Sequence, residues 1–256
     1  MQRILLTIRY DGTAYHGWQV QPNGVTVQQV LQDAVEKVTG VRSGIIGCSR
    51  TDAGVHADRF CCTFDTDSPL RGNKLASALN YHLPRDVAVY AAREVPADFH
   101  PRYHAAGKRY VYRIWNGAQR HPVYDRYALH RNQPLDVDQL DRAAADFVGT
   151  HDFAAFCGAG SAVEDTVRTV TACTVRRQGD LVLFTVEGNG FLYNMVRIMV
   201  GTLLEIAAGR LAQDSIPAIL RSLDRNQAGP TAPAQGLCLE WVYYDTLGEE
   251  GATYAE

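Results

Sequence analysis

The chain has 256 residues, of which 46% are hydrophobic and 21% charged, with a formal net charge of −3. This is the composition of a soluble globular protein, long enough for one large domain or two ordinary ones with a sizeable core and no covalent staples. The acidic balance argues against a non-specific nucleic-acid binder but leaves room for a local basic patch.

The six cysteines include no CxxC pair, which argues against a zinc site. The start "MQRILLTIRYDG" is not a signal peptide, so the expectation is reduced, mostly buried thiols in a cytoplasm. There is no run of about 18 apolar residues to span a membrane.

In chain order, "RILLTIRYDG" reads as a buried strand ending in an Asp11-Gly12 turn. "TVQQVLQDAVEKVTG" reads as a helix, capped by Thr26 and ended by Gly40, with Val27, Val30, Leu31, Ala34, Val35 and Val38 at helical spacing. "GIIGCSRTDAGVHADRFCCTFDT" reads as strand, loop, strand. A helix over "NKLASALNYHL" stops before Pro84, and the strand "DVAVYAAREV" follows.

From about residue 105 a similar order begins again. "KRYVYRIWN" alternates as a half-buried strand, and "DVDQLDRAAADFVGTHDF" reads as a helix. "TVTACTVRRQGDLVLFTVEG" is a hairpin around Gln178-Gly179-Asp180. A long helix is expected from Phe191 to Ala208, ended by Gly209, then a shorter one near "DSIPAILRSL" and a last strand over "GLCLEWVYYD". The expected organisation is α+β, in two related halves at 1–104 and 105–246, with a loose tail at 247–256.

Residues 99–131 depart from the acidic average. They hold Arg102, Lys108, Arg109, Arg113, Arg120, Arg126 and Arg131 against a single acid, Asp125, among four histidines and five tyrosines. Cations neutralise phosphates and aromatic faces stack on unpaired bases, so the mixture suits RNA, although a solvated strand with cross-strand aromatic pairs has the same composition. Strand alternation puts Tyr110 and Tyr112 on one face with Lys108 and Ile114, and Arg109, Val111 and Arg113 on the other.

The stretch "CSRTDAGVHA", residues 48–57, sets Asp52 two residues after Arg50 and two before Gly54. Asp-Ala-Gly is also an ordinary turn in which the aspartate binds its own backbone. The apolar flanks "GIIGC" and "RFCCTF" instead place Asp52 near the edge of the core, where a carboxylate needs a cationic or hydrogen-bonding partner. Arg50 is one candidate. Arg197, in the middle of the apolar helix "FLYNMVRIMVGTLLEIAAG", is another. A pair between Asp52 and Arg197 would keep Asp52 ionised, as a nucleophile or base requires. His151-Asp152 near Cys157 lacks the flanks of a thiol nucleophile, and neither a GxGxxG nor a P-loop lysine is present.

Five stretches together resemble the tRNA pseudouridine synthase A family: "RYDGTAYHGWQVQP", "RTDAGVHA", "FHPRYHAAGKRYVYRI", "NGFLYNMVRIMVGTLLEIAAGR" and "APAQGLCLEWVYY", in the family's order and spacing from about residue 3 to 245. Ser49 stands where the family usually has glycine, and Pro101 and its neighbours vary the central motif. The resemblance implies two α/β halves sharing a central, mainly antiparallel sheet, with helices packed on it and an active-site cleft at the seam. It implies isomerisation of uridine to pseudouridine at tRNA positions 38–40 by a cytoplasmic homodimer, with no metal or organic cofactor and no membrane. Residue by residue, Asp52 matches the essential aspartate, Tyr110 the tyrosine that stacks on the target uracil, and Arg50 and Arg197 basic residues of the same cleft. Arg102, Lys108, Arg109 and Arg113 are the expected tRNA-binding residues. The rival readings are a non-catalytic RNA binder on the same scaffold and a base-excising hydrolase.

Overall fold

A computed structural model describes residues 1–160 and 163–245, so the tail expected at 247–256 lies outside the described residues. The chain divides into two compact units, one of Met1–Gly107 with Leu239–Glu256 and the other of Lys108–Cys238. The return of the last strand to the first unit is a feature that reading along the chain does not reveal. The described residues form ten strands, paired mainly antiparallel, and five α-helices.

The first unit is built from β1 (Gln2–Tyr10), α1 (Val27–Thr39), β2 (Ile46–Gly47), β3 (His56–Thr66), α2 (Gly72–His82) and β4 (Val87–Val95). β1 is central between β4 and β3, antiparallel to both, and aligns Ile4, Leu6 and Ile8 with Phe64, Cys62 and Phe60. These apolar side chains are buried, together with Leu31 and Val35 of α1 and Leu75 and Leu79 of α2. α1 begins and ends where its caps dictate. The Thr26 hydroxyl accepts the Gln29 N–H, and Gly40 takes a left-handed φ of 76°. The "GIIGC" stretch departs from expectation. Only Ile46 and Gly47 pair, against Thr63 and Cys62, while Ile45 is buried and Ile46 exposed.

The second unit comprises β5 (Gly107–Trp115, from Lys108 onward), β6 (Leu129–His130), α3 (Val137–Ala145), β7 (Gly149–Asp152), β8 (Val167–Gln178), β9 (Leu181–Gly188), α4 (Met195–Ala207) and α5 (Ile216–Ser222). Its strands run β5-β9-β8-β7, with β6 parallel to β5. The hairpin at 178–180 forms as expected, with Gly179 at φ 59°.

Two helices are shorter than their apolar periodicity suggests. α3 stops at Ala145, because the next residues turn into β7 through Gly149 at φ 125°, a conformation side-chain-bearing residues rarely adopt. Phe147 stays buried, which is why it mimicked a helical stripe. α4 starts at Met195 and not at Phe191, because Asn194 is left-handed at φ 58°. Nearly all of α4 is buried, and Gly201 lets residues 229–232 cross it. A Cβ there would fall on the Pro230 carbonyl oxygen. The last strand, β10 (Leu237–Tyr243), lies beside β3.

Candidate active site

Asp52 sits half-buried in the loop that enters β3, between buried Thr51 and exposed Ala53. The Val55 N–H donates to the Asp52 carbonyl at 3.2 Å, so the Asp-Ala-Gly segment is indeed a turn. The turn is clamped from beneath by the N-terminal motif. The Trp18 N–H donates to the Thr51 carbonyl at 3.1 Å, and the Gly54 N–H to the Tyr15 carbonyl at 3.3 Å. Tyr10 Oη and Thr51 Oγ1 share a buried hydrogen bond of 2.8 Å. The Gly12 N–H donates to His56 Nδ1 at 3.0 Å.

Two glycines make this clamp possible. A Cβ on Gly12 would collide with the Val55 backbone, and one on Gly17 would stand 2.6 Å from the Thr51 carbonyl oxygen. Gly17 also has φ 82°. "YDGTAYHGW" therefore buttresses the aspartate loop. Sequence reading recognised the motif without assigning it that role, although two glycines among four aromatic rings in nine residues were the available signal.

Arg50 is exposed and lines a cavity of about 240 Å³ with Arg102 and Tyr103, all within the first unit. Tyr110 and Arg197 belong to the second unit. On β5, Lys108, Tyr110, Tyr112 and Ile114 are buried while Arg109 and Arg113 are half-buried, but Val111, on the arginine face, is buried too, so the alternation expected holds only in part. The Tyr110 ring stands edge-on to Phe191, with centroids 5.2 Å apart. Tyr112 is fully buried and its hydroxyl donates to the Pro233 carbonyl at 2.8 Å. Burial pushes that phenol far above its ordinary range. Arg109 pairs with Glu187 at 2.8 Å.

Arg197 is half-buried, and its guanidinium is aimed by two neighbours. Nε donates to the Ala232 carbonyl at 2.7 Å and Nη1 to Asn194 Oδ1 at 2.8 Å. The Ala232 N–H in turn donates to the Arg197 carbonyl at 3.1 Å. The crossing segment that Gly201 admits thus fixes this arginine. Sequence reading looked for an anionic partner and missed the segment, whose signal was the cluster of small residues and prolines in "AGPTAPAQG". Among the described residues, no group of three or more His, Cys, Asp or Glu side chains is arranged to hold a metal.

The first unit thus presents the Asp52 carboxylate on a hydrogen-bonded turn, and the second an oriented guanidinium at Arg197. Comparison with known proteins agrees with the motifs. A family model described as tRNA pseudouridine synthase matches residues 6–104 and 143–245, blocks that include Asp52 and Arg197 and leave Tyr110 between them. The chain is 46% identical to the tRNA pseudouridine synthase A of Thermoanaerobacter pseudethanolicus, over 95% of this chain and all of the relative. It is also 46% identical to that of Clostridium kluyveri, with the same coverage. With that of Halalkalibacterium halodurans it shares 45% identity over 93% of this chain and 90% of the relative. These alignments span nearly the whole chain. Among solved structures, a chain in the crystal structure of a Cbf5-Nop10-Gar1 complex aligns with 93% of this one, which covers half of it, at 13% identity and a TM-score of 0.40.

Proposed function

Since the chain belongs to the tRNA pseudouridine synthase family, we propose that it isomerises uridine to pseudouridine at positions 38–40 of the tRNA anticodon stem-loop, with Asp52 as the carboxylate that acts on the ribose. The observation that carries the role of Asp52 is the clamp. A half-buried carboxylate is held on a turn braced by backbone hydrogen bonds from the N-terminal motif. Catalytic groups need such fixed placement.

The reaction breaks the N1–C1′ bond, rotates the uracil and joins C5 to C1′. C5 loses a proton and N1 gains one, so the composition of the nucleotide is unchanged. Asp52 supports either of two routes, attack on C1′ or removal of the C2′ proton. Each needs one ionised carboxylate. The uracil first leaves the stack, at a cost of a few kcal/mol. In this reading Tyr110 holds it by stacking, worth about 1–3 kcal/mol. Arg197, aimed by Ala232 and Asn194, offsets charge on the detached ring. Exposed Arg50 and Arg102, with half-buried Arg113, supply positive charge to the RNA, whereas Lys108 is buried and Arg109 is paired with Glu187. The protein acts in the cytoplasm as a homodimer.

The test is Asp52→Asn on a uridine-containing tRNA transcript tritiated at C5. Tritium release should fall by roughly 10²–10⁴-fold or more, while tRNA binding persists. Full activity in the purified variant would remove Asp52 from the mechanism. Release of free uracil in place of pseudouridine would make the protein a hydrolase.

A further inference from the structure

Residues 100–104 form a turn in which only Pro101 is buried. Ring contacts and hydrogen bonds tie it to the rest of the first unit. Phe99, buried at its start, meets the rings of His104 and Tyr244 at 5.4 and 5.3 Å. Tyr244 Oη donates to the Pro101 carbonyl at 2.6 Å, and Arg3 Nη1 to that of Phe99 at 3.2 Å. His100 Nδ1 accepts the N–H groups of Arg102 and Tyr103 at 3.2 and 3.3 Å. On this frame the Tyr103 ring stacks over His100, with centroids 4.2 Å apart and planes 29° from parallel. Tyr103 is nevertheless 76% exposed. A large ring presented to water contributes little to folding, and one already packed on a neighbour has less freedom for binding to take from it.

The surroundings say what such a ring would bind. Tyr103, His100, Arg102, Arg50, Ser49 and Trp18 line the cavity of about 240 Å³. That is below the roughly 300–1,000 Å³ of sites that enclose a whole drug-sized ligand, and is the scale of a single base. Two guanidiniums beside a stacked aromatic pair match a nucleotide, whose base has a flat face and whose phosphates are anionic. A phosphate alone would need no ring, and an apolar peptide would need no arginines. Arg50 and Asp52 are two residues apart, at most about 7 Å along the backbone. The cavity therefore lies beside the turn that carries Asp52.

We infer that this cavity is a second nucleotide site. An unpaired base of the anticodon stem-loop stacks on the Tyr103–His100 pair, and Arg50 and Arg102 hold its phosphates. The inference rests on the tRNA-isomerase reading, and its tests separate the two. Tyr103→Ala should raise both the Kd for a tRNA transcript and the KM by about 5- to 100-fold, with an unchanged melting temperature. Tyr103→Phe should stay within about twofold of wild type, because the ring and not the hydroxyl makes the stack. A transcript carrying 5-iodouridine in the anticodon loop, irradiated on the wild-type protein, should crosslink to the peptide holding His100 and Tyr103. Unchanged Kd and KM in Tyr103→Ala, or equal damage from Tyr103→Phe, would overturn the site while leaving the isomerase reading in place. A wild-type protein that forms no pseudouridine in any transcript would overturn both.

Discussion

Tyr110 and Tyr112 stand two residues apart on the same face of one strand and do different work. Tyr112 belongs to the core. Its hydroxyl is consumed by the Pro233 carbonyl, and its ring lies against Gly236. Tyr110 packs nearly perpendicular to Phe191 and is the member of the pair proposed to hold the uracil. The cysteines allow a sharper test at this scale. Burial pushes the Cys61 thiol up to about 11, so at pH 8 it is protonated as well as enclosed. A thiol exposed by unfolding has a pKa of about 8.5 and is substantially ionised there. Iodoacetamide at pH 8 should therefore leave Cys61 unmodified in the native protein and label it in denaturant, as read by peptide mass spectrometry. Half-buried Cys157 should be modified first. Rapid native labelling of Cys61 would show that the sheet around it opens.

Among the elements, α4 has the most depending on it. Thr202 Oγ1 donates to the Ile198 carbonyl at 2.8 Å and accepts the Gly229 N–H at 2.9 Å, so one hydroxyl pins the crossing segment to the helix. The next hydrogen bonds along that segment orient Arg197. Gly201→Ala should improve intrinsic helix propensity by nearly 1 kcal/mol, yet destabilise the protein, because the added methyl would occupy the place of the Pro230 carbonyl. Overpacking of this kind costs about 1–3 kcal/mol, and against backbone the upper end applies. Urea denaturation should show a net loss of about 1–2 kcal/mol. Activity should fall further than the folded fraction does, since Arg197 moves with the segment. A stabilised variant would mean that residues 229–232 can withdraw at no cost.

Considered as a whole molecule, the chain carries a net charge of −3, whereas residues 99–131 hold seven basic side chains against one acid. Binding of tRNA should thus be governed by a local field and not by net charge, and should weaken steeply with salt. Replacing Arg102 with alanine should weaken binding and lower the slope of log Kobs against log salt by about one, the signature of a single lost phosphate contact. An unchanged slope would mean that the Arg102 guanidinium makes no such contact.

Sequence alone was sufficient for the family, for Asp52 as the candidate carboxylate and for most element boundaries. Those features are written locally. Thr26 and Gly40 cap α1 through their own chemistry, alternation sorts the two faces of β5 except at buried Val111, and ordered motifs record what a reaction needs. Where sequence reading failed, the deciding contact came from far along the chain. α3 and α4 were overextended because apolar spacing persists past Ala145 and before Met195, while the backbone at Gly149 and Asn194 had already turned. The clamp beneath Asp52 joins residues 12–18 to residues 51–56, and the bonds that aim Arg197 come from residues 194 and 232. Residue types could nominate the carboxylate and the arginine. Only the tertiary structure decided what holds each in place, because close backbone approach depends on which distant segments fold against one another.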